Sequence, residues 1–128
     1  MVLSAFGTPL AFLFGAYTPL MAVLFVMVCL DIFTGFAKAI YFQKLKSRTM
    51  SHGMIRKACL AIVVILCHMI DLALFNDIPV AKTGCILFYI GVEGLSILEN
   101  LGEMKVPLPK FIHENLEVLK QKGEHTDS

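Results

Sequence analysis

Three long apolar stretches, separated by short polar ones, organise this chain. The first thirty residues contain no Asp, Glu, Lys or Arg, and Asp31 is the first charge. Gly7, Pro9, Gly15 and Pro19 interrupt that run. They divide it into an N-terminal apolar segment (residues 1–19) and a first span (20–41). Within the former, residues 3–17 read as a short helical or re-entrant element at a membrane surface. A span takes about 20 apolar residues at a rise of about 1.5 Å each. A cleaved signal peptide would need a basic region ahead of its apolar core, and no Lys or Arg precedes Lys38.

A basic loop over 42–57 follows, with Lys44, Lys46, Arg48, Arg56 and Lys57 and no acid. Residues 58–75 are the second span. Asn76, Asp77 and Pro79 read as a tight turn, and 82–101 as the third span, interrupted by Gly84, Gly91, Glu93 and Gly94. Pro107 and Pro109 break the tail (102–128). Beyond them Phe111, Ile112, Leu116 and Leu119 recur at helical spacing, which predicts a short amphipathic helix to about Gln121. Residues from Gly123 onward read as frayed. The whole is a single all-α membrane domain.

Composition supports this. Hydrophobic residues are 57% of the 128 and charged ones only 16%, with a mean hydropathy of +0.75. Soluble domains carry roughly 25% charged residues, so this chain lacks the charge to cover a water-facing surface. The hydrophobicity excludes a disordered chain. Four cysteines are too sparse for a secreted disulfide scaffold. A net charge of +1 without an aromatic-basic stripe argues against nucleic-acid binding.

The basic residues set the orientation. Five lie in the loop and four more (Lys105, Lys110, Lys120, Lys122) after the third span, against Lys82 on the other side. Three spans then give an outside N-terminus and a cytoplasmic C-terminus. A fourth crossing by the N-terminal segment would move only the N-terminus inside.

Charged residues within the spans are the candidate functional groups, because each costs roughly 2.5–3.5 kcal/mol at mid-bilayer. Asp31 stands 11 residues after Leu20, and Glu93 stands 11 after Lys82. Both therefore lie near the midplane. Either one of the two is neutral, or both face a water-filled lumen built from several copies. Lys38 and Glu99, 18 and 17 residues in, are expected at the cytoplasmic end, where they either pair or snorkel separately to the interface. Gly35 and Ala39 form a small-xxx-small pair that permits close helix approach. Gly91 and Gly94 either do the same or soften the third span.

His68 and Asp71 share a face of the second span and read as a partly buried polar pair near the outer surface. Two residues are too few for a metal site. Cys29, Cys59, Cys67 and Cys85 lack CxxC spacing and read as small buried hydrophobes. Ser51 and His52 have no acid nearby in sequence, and neither a glycine-rich phosphate loop nor HExxH occurs. No catalytic residue, cofactor or metal is expected.

Three motifs go further. The first span carries Leu30-Asp31-Ile32-Phe33-Thr34-Gly35. The basic loop carries Ser51, Gly53 and Lys57 in an S-x-G-x-x-x-K arrangement. The third span runs Glu93-Gly94-Leu95-Ser96-Ile97-Leu98-Glu99-Asn100-Leu101-Gly102-Glu103-Met104, followed by Val106-Pro107-Leu108-Pro109-Lys110. Together, over about residues 20–120, they resemble the phage holin and toxin-secretion holin family. That family includes holins of phages from Gram-positive hosts and the clostridial toxin-release holin.

The resemblance implies a non-enzymatic protein of the host's cytoplasmic membrane. It would oligomerise with itself into a lesion or pore that releases an endolysin, or a toxin, and so times lysis. Asp31, Thr34, Gly35, Ser51, Gly53, Lys57, Glu93, Glu99 and Asn100 are the matched positions. With Lys38, Ala39 and Gly94 they supply the candidates for pore lining and assembly. An antiholin-like regulator, a small channel or transporter subunit, and a structural adaptor anchoring a partner through the tail are the competing readings.

Overall fold

The computed structural model describes residues 9–124. The first part of the N-terminal segment (1–8) and the last part of the tail (125–128) lie outside the described residues. Four long helices follow one another: α1 (Pro19–Tyr41), α2 (Ser47–Leu74), α3 (Val80–Glu103) and α4 (Lys110–Glu124). The first three are long and apolar enough to cross a membrane.

Local chemistry sets their ends. Thr18 precedes Pro19 and its hydroxyl accepts from the Met21 amide at 3.4 Å. This is N-capping with proline at the first helical position. The α1–α2 turn passes through Gln43 at φ 54°. The α2–α3 turn uses Asn76 and Asp77, at φ 51° and 68°, before Pro79. Both residue types tolerate the left-handed region. Lys105, at φ 66°, turns the chain out of α3, and Pro107 and Pro109 prevent the helix from resuming until Lys110.

α3 is the central element. α1, α2 and α4 all pack on it, whereas α1 and α2 barely touch each other. Among the described residues five apolar side chains are buried: Leu24, Leu60, Val64, Ile86 and Ile90. Seven polar or charged ones are equally buried: Asp31, Thr34, His68, Asp71, Lys82, Glu93 and Asn100. Phe25, Phe33, Ile62 and Leu66 are more than half exposed. A polar interior under an apolar exterior is what a lipid solvent selects, since polar groups at membrane depth must be satisfied within the protein.

Three expectations change. The stretch 42–57 is not a loop throughout, because α2 already begins at Ser47. Its first turns are polar and invisible to a hydropathy reading, but no proline interrupts them. Gly35 of the small-residue pair is turned toward Asn100 of α3 in the same chain. Cys29 and Cys59 are exposed rather than buried.

Candidate functional site

The spacing of polar residues on the three membrane-length helices brings one cluster together. On α2, Lys57, Leu60, Val64, His68 and Asp71 recur at intervals of three and four, which puts them on one face. On α3, Glu93, Ser96 and Asn100 follow the same rule. On α1, Asp31 and Thr34 are one turn apart. These faces meet inside the bundle.

The Lys57 ammonium sits between two carboxylates. It donates to Asp31 Oδ2 and, at 2.8 Å, to Glu93 Oε2. The carboxylate side chains are only 7% and 8% exposed. Ser96 Oγ donates to Asp31 Oδ1 at 2.7 Å, and Asn100 Nδ2 donates to the same oxygen at 3.2 Å. Asn100 Nδ2 also donates to Thr34 Oγ1 at 3.0 Å, while that hydroxyl donates to the Leu30 carbonyl at 2.8 Å. One network thus ties three helices together, and no buried side-chain polar atom among the described residues lacks a partner. Its chemistry is charge pairing, with two carboxylates against one ammonium. A cleft of about 230 Å³ beside Gly35 and Gly53 opens onto Asp31, Lys57, Ser96 and Asn100.

Lys57 lies between the like charges of Asp31 and Glu93, a partner that the sequence reading does not give them. Of the five basic loop residues, Lys44, Lys46, Arg48 and Arg56 are exposed, and Lys57 turns inward because the longer α2 carries it there. Ser96 is a member of the network that the sequence reading misses as a candidate. The Glu93–Ser96–Asn100 spacing is the signal that could have found it. Lys38 pairs with Glu103 at 3.0 Å, one helical turn beyond the expected Glu99, and Glu99 is exposed. Ala39 and Lys38 line a shallow groove at that same basic end. Gly94 faces Leu116 of α4 and Met27 of α1.

A second polar site lies at the other end. Asp71 is fully buried. Its carboxylate accepts from the backbone amides of Ala81 (2.7 Å) and Lys82 (2.9 Å). α2 thereby caps the first turn of α3, which has no side-chain cap of its own. Lys82 Nζ donates to the carbonyls of Phe14 and Ala16, both at 3.1 Å, which holds residues 14–16 against the bundle. Gly15, at φ 77°, admits this contact, because a Cβ there would meet the His68 ring and the Lys82 ammonium at 2.7–2.9 Å. His68 and Asp71, expected as a partly buried polar pair, are both buried on one face of α2, His68 in a corner with Gly15 and Lys82 and Asp71 on the amides of α3.

A model of the bacteriophage holin family matches residues 8–121. The chain is similar to a probable holin of Bacillus phage phi105, at 40% identity over 91% of this chain and 88% of that protein. It is similar also to the uncharacterized protein YqxH of Bacillus subtilis (strain 168), at 40% identity over 80% of this chain and 73% of that one. A third relative, the uncharacterized protein CPE0383 of Clostridium perfringens, is 34% identical over 91% of this chain and 87% of its own. No solved structure matches. With three membrane-length helices this is a multi-pass protein of the cytoplasmic membrane, and the chain belongs to the bacteriophage holin family.

Proposed function

We propose that the chain accumulates in the cytoplasmic membrane of a bacterial host and associates with further copies of itself. The assembly opens a lesion through which an endolysin, or in some systems a toxin, leaves the cell, and its onset times lysis. The observation that carries this reading is the Asp31–Lys57–Glu93 network buried among three membrane-length helices that form no closed bundle. α1 and α2 are splayed, and a groove of about 570 Å³ runs between them, lined by Phe14, Met21, Leu24, Leu60 and Val64. An apolar groove of this kind suits a helix of a second copy, and charged groups at mid-span become useful once water enters between copies.

In this reading the end bearing Lys44, Lys46, Arg48, Lys105 and Lys110 faces the cytoplasm, following the distribution of basic residues. The partners are other copies and the lipid bilayer. The coupling to a hydrolase is functional, through the opening, and the protein itself carries out no reaction.

The test is induced expression in a bacterium, recording membrane potential and release of a co-expressed cytoplasmic wall hydrolase. Sudden depolarisation after a delay, followed by hydrolase-dependent lysis, is the expected result. A stable potential with continued growth, at verified membrane expression, would overturn the proposal in favour of a regulator or channel subunit.

A further inference from the structure

Where α1 and α2 splay apart at the basic end, a groove of about 490 Å³ lies between them. Ala39 and Phe42 of α1 and Met50 of α2 give it apolar walls. Lys38, Lys44, Lys46 and Glu103 supply its charges. Lys38 and Glu103 pair at 3.0 Å and neutralise each other. Lys44 and Lys46 are exposed and have no hydrogen-bond or ion-pair partner among the described residues. The groove therefore joins two uncompensated positive charges to an apolar surface.

Its depth can be counted from the Asp31–Lys57–Glu93 network. Lys38 follows Asp31 by seven residues, and Met50 precedes Lys57 by seven, a rise of about 10 Å on either helix. Lys46 precedes Lys57 by 11 residues, a rise of about 16 Å. The hydrocarbon core of a bilayer extends about 15 Å from its midplane. With the network near that midplane, Ala39 and Met50 lie just inside the hydrocarbon and Lys46 lies at the level of the headgroups. α2 begins behind Lys46 with no side-chain cap and no acid in its first turn, so the field of the helix adds to the positive charge there.

We infer that this groove binds an anionic phospholipid, with the headgroup phosphate on Lys44 and Lys46 and the start of an acyl chain against Ala39, Phe42 and Met50. Basic pockets between membrane helices bind anionic headgroups in this way. A zwitterionic lipid fits less well, because its own ammonium would meet the two lysines. The inference requires only that the three apolar helices lie in a membrane, so it stands apart from whether copies of the chain open a lesion.

Native mass spectrometry of the full-length protein, released from micelles that hold equal amounts of dioleoylphosphatidylglycerol and dioleoylphosphatidylcholine, tests it. The wild-type chain is expected to retain the anionic lipid over the zwitterionic one by about tenfold or more. The double variant Lys44→Ala, Lys46→Ala is expected to lose about tenfold in that preference, and Lys44→Arg, Lys46→Arg to keep it. Lys105→Ala, Lys110→Ala removes the same charge from the same end, outside the groove, and is expected to keep it too. Absence of a preference in the wild-type chain would overturn the inference. An equal loss from the two alanine pairs would overturn it in favour of diffuse attraction to the basic end. Displacement of the lipid by millimolar inorganic phosphate would overturn it in favour of a soluble anion. Each of these outcomes leaves the holin reading to its own test.

Discussion

Removing the ammonium at the centre of the network is the most informative perturbation, because the structure fixes its consequence. In Lys57→Met, Asp31 and Glu93 remain buried with no cation between them. Two oxygens that bond one nitrogen stand no more than about 5.5 Å apart. At an effective dielectric constant of about 20, their repulsion is about 3 kcal/mol. Breaking a buried ion pair by deleting one partner costs about 3–5 kcal/mol in general, so the two arguments converge. Replacing the whole set behaves differently. In the triple variant Asp31→Asn, Lys57→Met, Glu93→Gln no charge is left uncompensated, and the amide oxygen introduced on α1 still accepts from Ser96 and Asn100. Such replacements are often neutral or stabilising. Unfolding in mixed micelles, followed by helicity, is expected to place Lys57→Met about 3–5 kcal/mol below wild type and the triple variant within about 1 kcal/mol of it. The reasoning fails if the single variant is as stable as wild type, or if the triple is no better than the single.

Four other substitutions bear on the structure. Asp71→Ala is expected to cost about 1–3 kcal/mol and to speed hydrogen exchange at the Ala81 and Lys82 amides, which mass spectrometry of exchanged fragments would detect. Gly123→Ala forces a methyl into the Phe88 and Gly84 backbone and is expected to cost about 1–3 kcal/mol. Gly53→Ala meets open space and is expected to stabilise α2 by about 0.5–1 kcal/mol, so unfolding titrations should move the two in opposite directions. Lys38→Ala removes a pair whose side chains are 31% and 47% exposed, and a shift above about 1 kcal/mol in the same titration would contradict its surface character.

Taken alone, the sequence determined the helical membrane class, since three apolar runs long enough to span admit few other solutions. It also determined which polar residues would need partners, because the cost of a charge in hydrocarbon does not depend on the details of packing. Which partners they found was decided only by tertiary structure. Hydropathy leaves Lys57 in a surface loop because the first turns of α2 are polar, and hydropathy marks burial rather than helix. Lys38 meets Glu103 rather than Glu99, since relative helix rotation and axial shift choose between side chains a turn apart, and spacing along one chain carries no such information. Asp71 becomes a cap for α3, a role that requires the α2–α3 turn to bring its carboxylate to two backbone amides. The path of α4 is least legible of all. Its apolar spacing announces a helix with one buried face, but the glycines that let it fold back along α3 act through close backbone approach, and only the assembled helices show where that approach occurs.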